Sequence, residues 1–312
     1  LDTVDALDFY FIHGESVDEI IGGFRSLTGT AVLPPKWAFG YVQSKEAYQN
    51  QEELLEVAKE YRRRHIPLDC IVQDWNTWVP GLWGNKRLDK SRFPDISATN
   101  KSLHNMNVHS MISVWPNMNM GGEDYQEFVD KGYMLGDNAT YDAFNPDARD
   151  IYWQQANKEL FAGGFDSWWC DSTEPFSGPD WGGEVLREPW ERYALVGEEH
   201  KKYLDPAKAN LYALVHAKGI YENQRKENPD KRVLNLTRSG SAGSQRYGTV
   251  LWSGDTSATW STMEKQITEG LNVSMSGVPW WTLDIGGFFT VKEKWQNRGC
   301  GNHNNPNPLW FW

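Results

Sequence analysis

Residues Asp166–Pro175 read Asp-Ser-Trp-Trp-Cys-Asp-Ser-Thr-Glu-Pro, a short apolar run that ends abruptly in polar residues. The apolar part has the length of a buried β-strand, and Pro175 prevents the backbone from continuing to pair. Asp171 and Glu174 are therefore predicted to lie just beyond the end of a strand. The same pattern recurs on both sides of this stretch.

Seven apolar runs of this kind alternate with longer amphipathic stretches. We predict strands at Trp37–Gln43, Leu68–Gln73, Val108–Val114, Asp166–Cys170, Arg232–Thr237, Thr249–Trp252 and Val273–Trp281. The helices predicted between them include Gln51–His65, Asp147–Phe161 with Asp147 as its N-cap, and Pro206–Asn228. Near-continuously apolar strands separated by helices favour a parallel sheet that is covered on both faces.

A closed (β/α)8 TIM barrel is favoured over an open doubly wound sheet, because no glycine-rich phosphate loop follows the first strand. We therefore predict an α/β fold with a barrel at 31–312 that is truncated before strand 8. Residues 1–30, with a strand at Leu7–His13 and a helix at Val17–Leu27, are expected to be the tail of a preceding domain. The segment Ser177–Asp205, rich in Gly, Pro and Trp, is predicted to be a long loop over the site.

The composition of the 312 residues narrows the class of protein. A net charge of -11, from 42 acidic and 31 basic residues, argues against a nucleic-acid partner. No apolar run approaches the roughly 20 residues that a membrane-spanning helix needs, so we expect no membrane span. Aromatic residues make up 14% of the chain, with 17 Trp, which suits a ligand that has both apolar faces and hydroxyl groups.

The three cysteines, Cys70, Cys170 and Cys300, are too scattered for a disulfide framework or a zinc motif. No metal site and no cofactor is predicted. Unpaired cysteines are more typical of the cytoplasm, but both ends of the chain look cut, and the compartment stays unassigned. Nothing in the sequence predicts the oligomeric state.

In a βα barrel the reactive groups stand at the carboxyl ends of the strands. The residues that follow the predicted strands are Gln43-Ser44, Asp74-Trp75, Trp115-Pro116, Asp171, Arg238, Asp255 and Asp284. Four carboxylates at one rim, interleaved with Trp, indicate glycoside hydrolysis, which uses one carboxylate as nucleophile and a second as proton donor. The structural alternatives are a turn for Asp171 and a helix N-cap for Asp255.

Five linked motifs carry a family resemblance. They are Asp-Ser-Thr-Glu-Pro at 171–175, Trp-Ser-Gly-Asp at 252–255, Thr-Arg-Ser at 237–239, Asp-Ile-Gly-Gly-Phe at 284–288 and Leu-Pro-Pro-Lys-Trp-Ala-Phe-Gly at 33–40. Together they resemble the catalytic barrel of glycoside hydrolase family 31. The resemblance implies that Asp171 is the nucleophile and Asp255 the general acid/base of a retaining α-glycosidase. It also implies that residues 1–30 end an N-terminal β-sandwich, and that the eighth strand, its sugar-binding His and the later β-domains are missing from this chain.

The resemblance assigns further roles. Arg238 would keep Asp171 ionised and bind a ring hydroxyl, while Asp74 would accept hydrogen bonds from hydroxyls of the terminal sugar. The residues expected to line the pocket or bind substrate beside them are Trp75, Trp115, Trp252, Asp284 and Phe288, and Glu174 would hold its neighbours in place. Trp252 by desolvation and Asp171 by its charge would raise the pKa of Asp255. His65, His104 and His109 are placed away from the rim.

The sugar is predicted from Asp74-Trp75-Asn76-Thr77-Trp78, which resembles the Asp-Trp-x-x-Trp of bacterial members that include α-xylosidases. An indole at Trp75 would fill the space of a hexose hydroxymethyl group and favour terminal α-xylose on a glycoside or oligosaccharide. The alternatives are an α-glucosidase or transglucosidase, and an α-galactosidase or α-N-acetylgalactosaminidase. A carbohydrate-binding barrel without activity is the alternative that is not an enzyme.

Overall fold

The computed structural model describes residues 6–45, 47–174, 203–205 and 207–288. The chain divides into two compact units. The first unit comprises Leu33–Asp171 and Gly219–Leu236. The second unit comprises Leu1–Val32, Ser172–Lys218 and Thr237–Trp312.

The first unit is built on a parallel sheet in which each strand pairs with the next along the chain. Its strands are β1 (Val42–Gln43), β2 (Cys70–Gln73), β3 (His109–Val114), β4 (Ser167–Cys170) and β5 (Asn235–Thr237). Every residue of β2 and of β4 is buried, as expected when both faces of a parallel sheet are covered. The register pairs Gln73 with Ile112 and Val114 with Cys170, so β2, β3 and β4 end at one edge.

Helices follow the strands along the chain. They are α1 (Val17–Thr28), α2 (Gln51–Arg63), α3 (Ile96–Asn105), α4 (Glu123–Asp130), α5 (Pro146–Ala156), α6 (Tyr212–Glu227) and α7 (Trp260–Met275). In α2 the apolar face predicted from the sequence carries Leu54 and Ala58, both fully buried against Ile71, Leu103 and Val108. The core of the first unit thus lies between the sheet and the helices that connect its strands.

A π-helical turn at Asn157–Phe161 continues α5. The amide of Ala162 donates to the carbonyl of Asn157, five residues earlier, at 3.0 Å. One residue more than in an α-helical turn is therefore accommodated here, and π-turns of this kind often occur where a side chain must be re-aimed.

The second unit contains β6 (Thr249–Trp252) and β7 (Trp281–Thr282), which are parallel and joined by α7. Side-chain hydrogen bonds attach the residues up to Val32 to the rest of this unit. Trp280 Nε1 donates to the carbonyl oxygen of Val32 at 2.9 Å, and Gln245 Nε2 donates to that of Gly29 at 2.9 Å. The helix α1 confirms the helix predicted at Val17–Leu27.

Two predicted strands are wrong. The described residues before α1 form no strand at Leu7–His13, where Phe9 and Phe11 are 84% and 89% exposed. The predicted strand Val273–Trp281 begins inside a helix, since α7 continues to Met275, and only Trp281–Thr282 pairs as β7. In α7 the apolar residues recur at helical spacing, and this period outweighs the alternation around Val273.

Smaller corrections concern element boundaries. The predicted strand Trp37–Gln43 begins as a 3-10 turn at Lys36–Phe39, and only its last two residues pair. The N-cap of α5 is Asn145 rather than Asp147, because the Asn145 side chain accepts the amide of Asp147. Residues 177–202 of the predicted loop Ser177–Asp205 are not among the described residues. The same holds for all residues after 288. Across the residues that are described, no helix combines the length and apolarity needed to cross a membrane.

Candidate active site

Three predicted site residues of the first unit directly follow adjacent strands. Asp74 comes after β2, Trp115 after β3 and Asp171 after β4. The amide of Asp171 donates to the carbonyl oxygen of Val114 at 3.1 Å, which extends the ladder between β3 and β4 by one step. Asp171 is therefore level with Trp115 at the carboxyl edge of the sheet.

The turn after β2 fixes the first of these carboxylates. Asp74 is 8% exposed, and its Oδ1 accepts the amide of Trp75 at 2.7 Å. Asn76 has a φ of 65°, in the left-handed region that Asn tolerates better than most residues. The bend at Asn76 turns the chain immediately after Asp74 and Trp75.

Three indole rings form what we call the tryptophan group, Trp75, Trp83 and Trp115. The ring of Trp83 lies 5.2 Å from that of Trp75 and 4.7 Å from that of Trp115, the latter edge to face. Trp83 Nε1 is buried without a hydrogen-bond partner among the residues that the structure describes. Two predicted binding residues, Trp75 and Trp115, are thus linked through a ring that the sequence analysis missed.

The segment carrying Trp83 is anchored by the π-turn. Glu159 Oε2 accepts the amide of Leu88 at 2.9 Å, and its other oxygen pairs with Lys90. In the sequence, Trp83 is only a Trp in a Gly-containing loop. Its partners come from elements far apart in the chain, so no local pattern marks it as a site residue. Proximity to Trp75 in the loop after a rim strand was the one available indication.

In the second unit, three charged side chains form what we call the charged group, Glu174, Arg238 and Asp255. Arg238 Nε donates to Glu174 Oε1 at 2.8 Å, and its Nη1 donates to Asp255 Oδ2 at 3.1 Å. Ser239 Oγ donates to the same Glu174 oxygen at 2.5 Å. The side chains of Arg238 and Asp255 are only 10% and 19% exposed, so water screens their interaction weakly.

Asp255 has the electrostatics of a proton donor. Burial raises the pKa of its carboxyl above the ordinary value; the charge of Glu174 adds to this, while Arg238 acts in the opposite direction. Glu174 thus contributes a like charge, and the contribution expected from Asp171 stays a prediction. The alternative of a helix N-cap fails, because Thr259 caps α7 through the amide of Thr262.

Arg238 lies against Trp252 as well as against the two carboxylates. Its guanidinium carbon is 5.8 Å from the Trp252 ring centroid, and Trp252 is 3% exposed. The predicted contact between Arg238 and Asp171 stays a prediction. What the structure shows is that Arg238 joins Glu174 to Asp255.

The segment after β7 brings the last two predicted residues to the segment after β6. The amide of Phe288 donates to the carbonyl of Thr256 at 2.7 Å, and a side chain at Gly287, whose φ is 76°, would collide with the backbone of Ala258. Asp284 lines a pocket of about 350 Å³ beside the first turn of α7. Asp255 is not among the residues that line this pocket, so the pocket is not assigned as the binding site of the sugar.

Comparison with known proteins identifies the class. The model of the glycosyl hydrolases family 31 TIM-barrel domain matches residues 31–303. The chain belongs to glycosyl hydrolase family 31, and its α/β fold is the barrel of that family, as the five motifs indicated.

Individual relatives agree with this assignment. The chain is 39% identical over 284 residues to an α-xylosidase of Saccharolobus solfataricus, covering 91% of this chain and 38% of that protein. The crystal structure of a GH31 α-xylosidase from Xanthomonas citri is similar with a TM-score of 0.79 at 36% identity, over 89% of this chain and 31% of that one. An α-glucosidase of Saccharolobus solfataricus is 27% identical, over 91% of this chain and 44% of that protein. The chain thus spans less than half the length of these relatives.

Proposed function

We propose that this chain carries the active site of a retaining, exo-acting α-glycosidase that releases a terminal α-linked xylose. The observation that carries the proposal is the Asp255 carboxyl, largely removed from solvent, whose pKa is raised although it accepts a hydrogen bond from Arg238. A carboxyl group that keeps its proton closer to neutral pH suits protonation of a leaving glycosidic oxygen. Asp171, at the end of β4, supplies the second carboxylate.

The first step forms a covalent intermediate. The Asp171 carboxylate attacks the anomeric carbon, the bond to the leaving oxygen breaks, and Asp255 gives its proton to that oxygen. In the second step Asp255, now a carboxylate, takes a proton from a water molecule that attacks the same carbon and displaces Asp171. Two inversions restore the α configuration.

Arg238 and Glu174 support the change of charge at Asp255. A hydrogen bond from a guanidinium strengthens when its acceptor becomes a carboxylate, so Arg238 stabilises Asp255 after the first step. Glu174 accepts a hydrogen bond from the same guanidinium and limits this effect. The pKa of Asp255 is thereby balanced between its roles as acid and as base.

Xylose is favoured by shape and by similarity. Trp75 is held against Trp83, so a bulky indole stands directly after Asp74, the proposed acceptor for hydroxyls of the terminal sugar. Xylose lacks the hydroxymethyl group of glucose and needs less room beside C5. The two most similar relatives named above are α-xylosidases, whereas the 27% identical α-glucosidase is the reason to keep glucose as the second candidate.

The test uses the full-length protein and 4-nitrophenyl α-glycosides of xylose, glucose, galactose and N-acetylgalactosamine. We expect the highest kcat/KM on the xyloside and, by proton NMR, α-xylose as the first product. Preference for a hexoside would overturn the choice of sugar, and β-xylose as first product would overturn the retaining mechanism. A folded protein that binds glycosides without turnover would favour the binding barrel.

A further inference from the structure

A second cluster of side chains lies at the amino ends of the strands in the first unit, opposite the edge that carries Asp74 and Asp171. His104 is in the last turn of α3, His109 is the first residue of β3, and Asp166 immediately precedes β4. His104 Nε2 and His109 Nδ1 lie 2.8 and 3.3 Å from Asp166 Oδ2, and the three atoms lie within 4.8 Å of one another. The proposed reaction uses none of these groups.

Neighbouring groups fix Asp166 and His109 in place. Asp166 is 6% exposed; Lys231 Nζ lies 2.8 Å from its Oδ1, and the amide of Ser110 donates to its Oδ2 at 3.0 Å. The ring of His109 stacks on that of Trp37 with centroids 4.7 Å apart. Groups that orient a ligand in this way are a regular part of protein metal sites.

One atom of the cluster is unsatisfied. His109 Nδ1 is buried and lies 3.3 Å from Asp166 Oδ2, but the two atoms are not aligned as a hydrogen bond. A buried ring nitrogen without a partner is costly, and a nitrogen that keeps its lone pair is available to a metal ion. The His104 and His109 side chains are each 37% exposed, which leaves a path from solvent.

We propose that His104 Nε2, His109 Nδ1 and Asp166 Oδ2 bind a divalent transition-metal ion of the zinc class, with water as fourth ligand. Two imidazoles and one carboxylate suit Zn²⁺ in tetrahedral geometry. Bonds of about 2.0–2.2 Å place tetrahedral ligand atoms roughly 3.3–3.6 Å apart. The His109 distance already fits, and His104 must move outward by about half an ångström.

The ion would link the end of α3 to the starts of β3 and β4, which the sheet already joins through the amide of Asp166 and the carbonyl oxygen of Ser110. Its role would be structural, because barrel chemistry takes place at the carboxyl ends of the strands and the amino ends serve stability. Lys231 would stay on the free oxygen of Asp166. Without an ion, the same groups form an ion-pair network, and this is the competing explanation that the test must separate.

The test measures metal binding by tag-free, full-length protein in competition with a chromogenic zinc chelator. We expect one Zn²⁺ with sub-micromolar affinity in wild type. Loss of a group that only orients a ligand already weakens affinity by about 10–100-fold, so His104→Gln and His109→Gln should weaken it by at least that factor. His65→Asn is the matched control, since His65 is exposed and has a φ of 56°, which Asn tolerates. The control should bind as wild type does.

Two further readouts protect the result from misfolding of a variant. Co²⁺ should give the intense visible absorption of a tetrahedral site in wild type and His65→Asn, and lose it in the other two variants. Zn²⁺ should raise the Tm of wild type and His65→Asn alone, because it binds only the folded site. Absence of sub-micromolar binding by wild type, or equal binding by all variants, would overturn the proposal in favour of an ion-pair network only. Neither result depends on glycosidase activity.

Discussion

The tryptophan group and the charged group use different kinds of contact. In the tryptophan group, ring contacts of 4.7–5.2 Å around Trp83 define a shape and carry no charge. In the charged group, hydrogen bonds of 2.8 and 3.1 Å join Glu174 and Asp255 through Arg238, and these contacts act on the pKa of Asp255. Under the proposed function, this difference assigns sugar selection and proton transfer to separate side chains. Substitutions should therefore change one property without the other.

The largest expected effect concerns Asp171, the proposed nucleophile. Asp171→Asn should lower kcat on activated and natural α-glycosides at least about 10⁴-fold, because no covalent intermediate forms. In Asp171→Gly, azide should restore turnover and yield the inverted β-glycosyl azide. The control Asp147→Asn changes an exposed carboxylate in the first turn of α5 and should keep wild-type rates. Wild-type turnover by Asp171→Asn would end the assignment.

The next largest effect tests whether Asp255 of the charged group acts as the general acid. Asp255→Ala should slow glycosylation by natural oligosaccharides roughly 10²–10⁴-fold and spare aryl glycosides whose leaving group departs without a proton. Single-turnover kinetics on both substrates measure this. Azide should now give the retained α-glycosyl azide, the opposite of the Asp171→Gly product. An equal loss on both substrates would instead indicate a structural role for Asp255.

Substitution in the tryptophan group should change selectivity. Trp75→Ala opens space beside C5, and a group of this size alters discrimination by about 1–3 kcal/mol, or tens to a few hundredfold. The ratio of kcat/KM for α-xyloside over α-glucoside should fall by that factor, while the pH profile stays unchanged. A displaced pH profile with an unchanged ratio would contradict the separation of the two groups.

Trp83 tests whether the tryptophan group acts as a unit. Trp83→Ala should lower the same ratio by less than Trp75→Ala does, since it acts by releasing the Trp75 and Trp115 rings. In the double variant the two effects should not add, because contacting residues are coupled. Full additivity would mean that Trp83 does not position Trp75.

The smallest effect is a shift of pH dependence by Glu174→Gln. The negative charge of Glu174 helps to raise the pKa of Asp255, so its removal should lower that pKa. A general acid works only when protonated, and the basic limb of the kcat profile should therefore move to lower pH. Ser239→Ala removes a hydrogen bond to Glu174 but keeps every charge, and its limb should stay in place. An unmoved limb in Glu174→Gln would refute the coupling.

The sequence predicted correctly those elements whose apolar residues fit either the strand period or the helix period, but not both. The strands β2, β3, β4 and β6 lie where short apolar runs indicated them. The prediction failed at the start of Val273–Trp281, where Val273 and Met275 alternate like a strand. Leu271 and Met275 also continue the spacing of Trp260, Met263 and Ile267, and the structure follows this longer helical period.

For the site, the sequence located the rim residues but not their partners. The order of strands was sufficient to place Asp74, Trp115 and Asp171, because parallel strands end at one edge. It was not sufficient for contacts across the fold. Arg238 and Glu174 are 64 residues apart, and His104 and Asp166 are 62 apart, so no local pattern relates them.

The π-turn at Asn157–Phe161 has a consequence for changes in chain length. Deleting one residue there would convert the turn to an ordinary α-helical one and leave the helix intact. Residues on one side of the deletion would, however, rotate by about 100° relative to those on the other, which removes Glu159 from Leu88 and Lys90. A one-residue deletion in the π-turn, far from Trp83 in the sequence, would thus release the segment that positions Trp83.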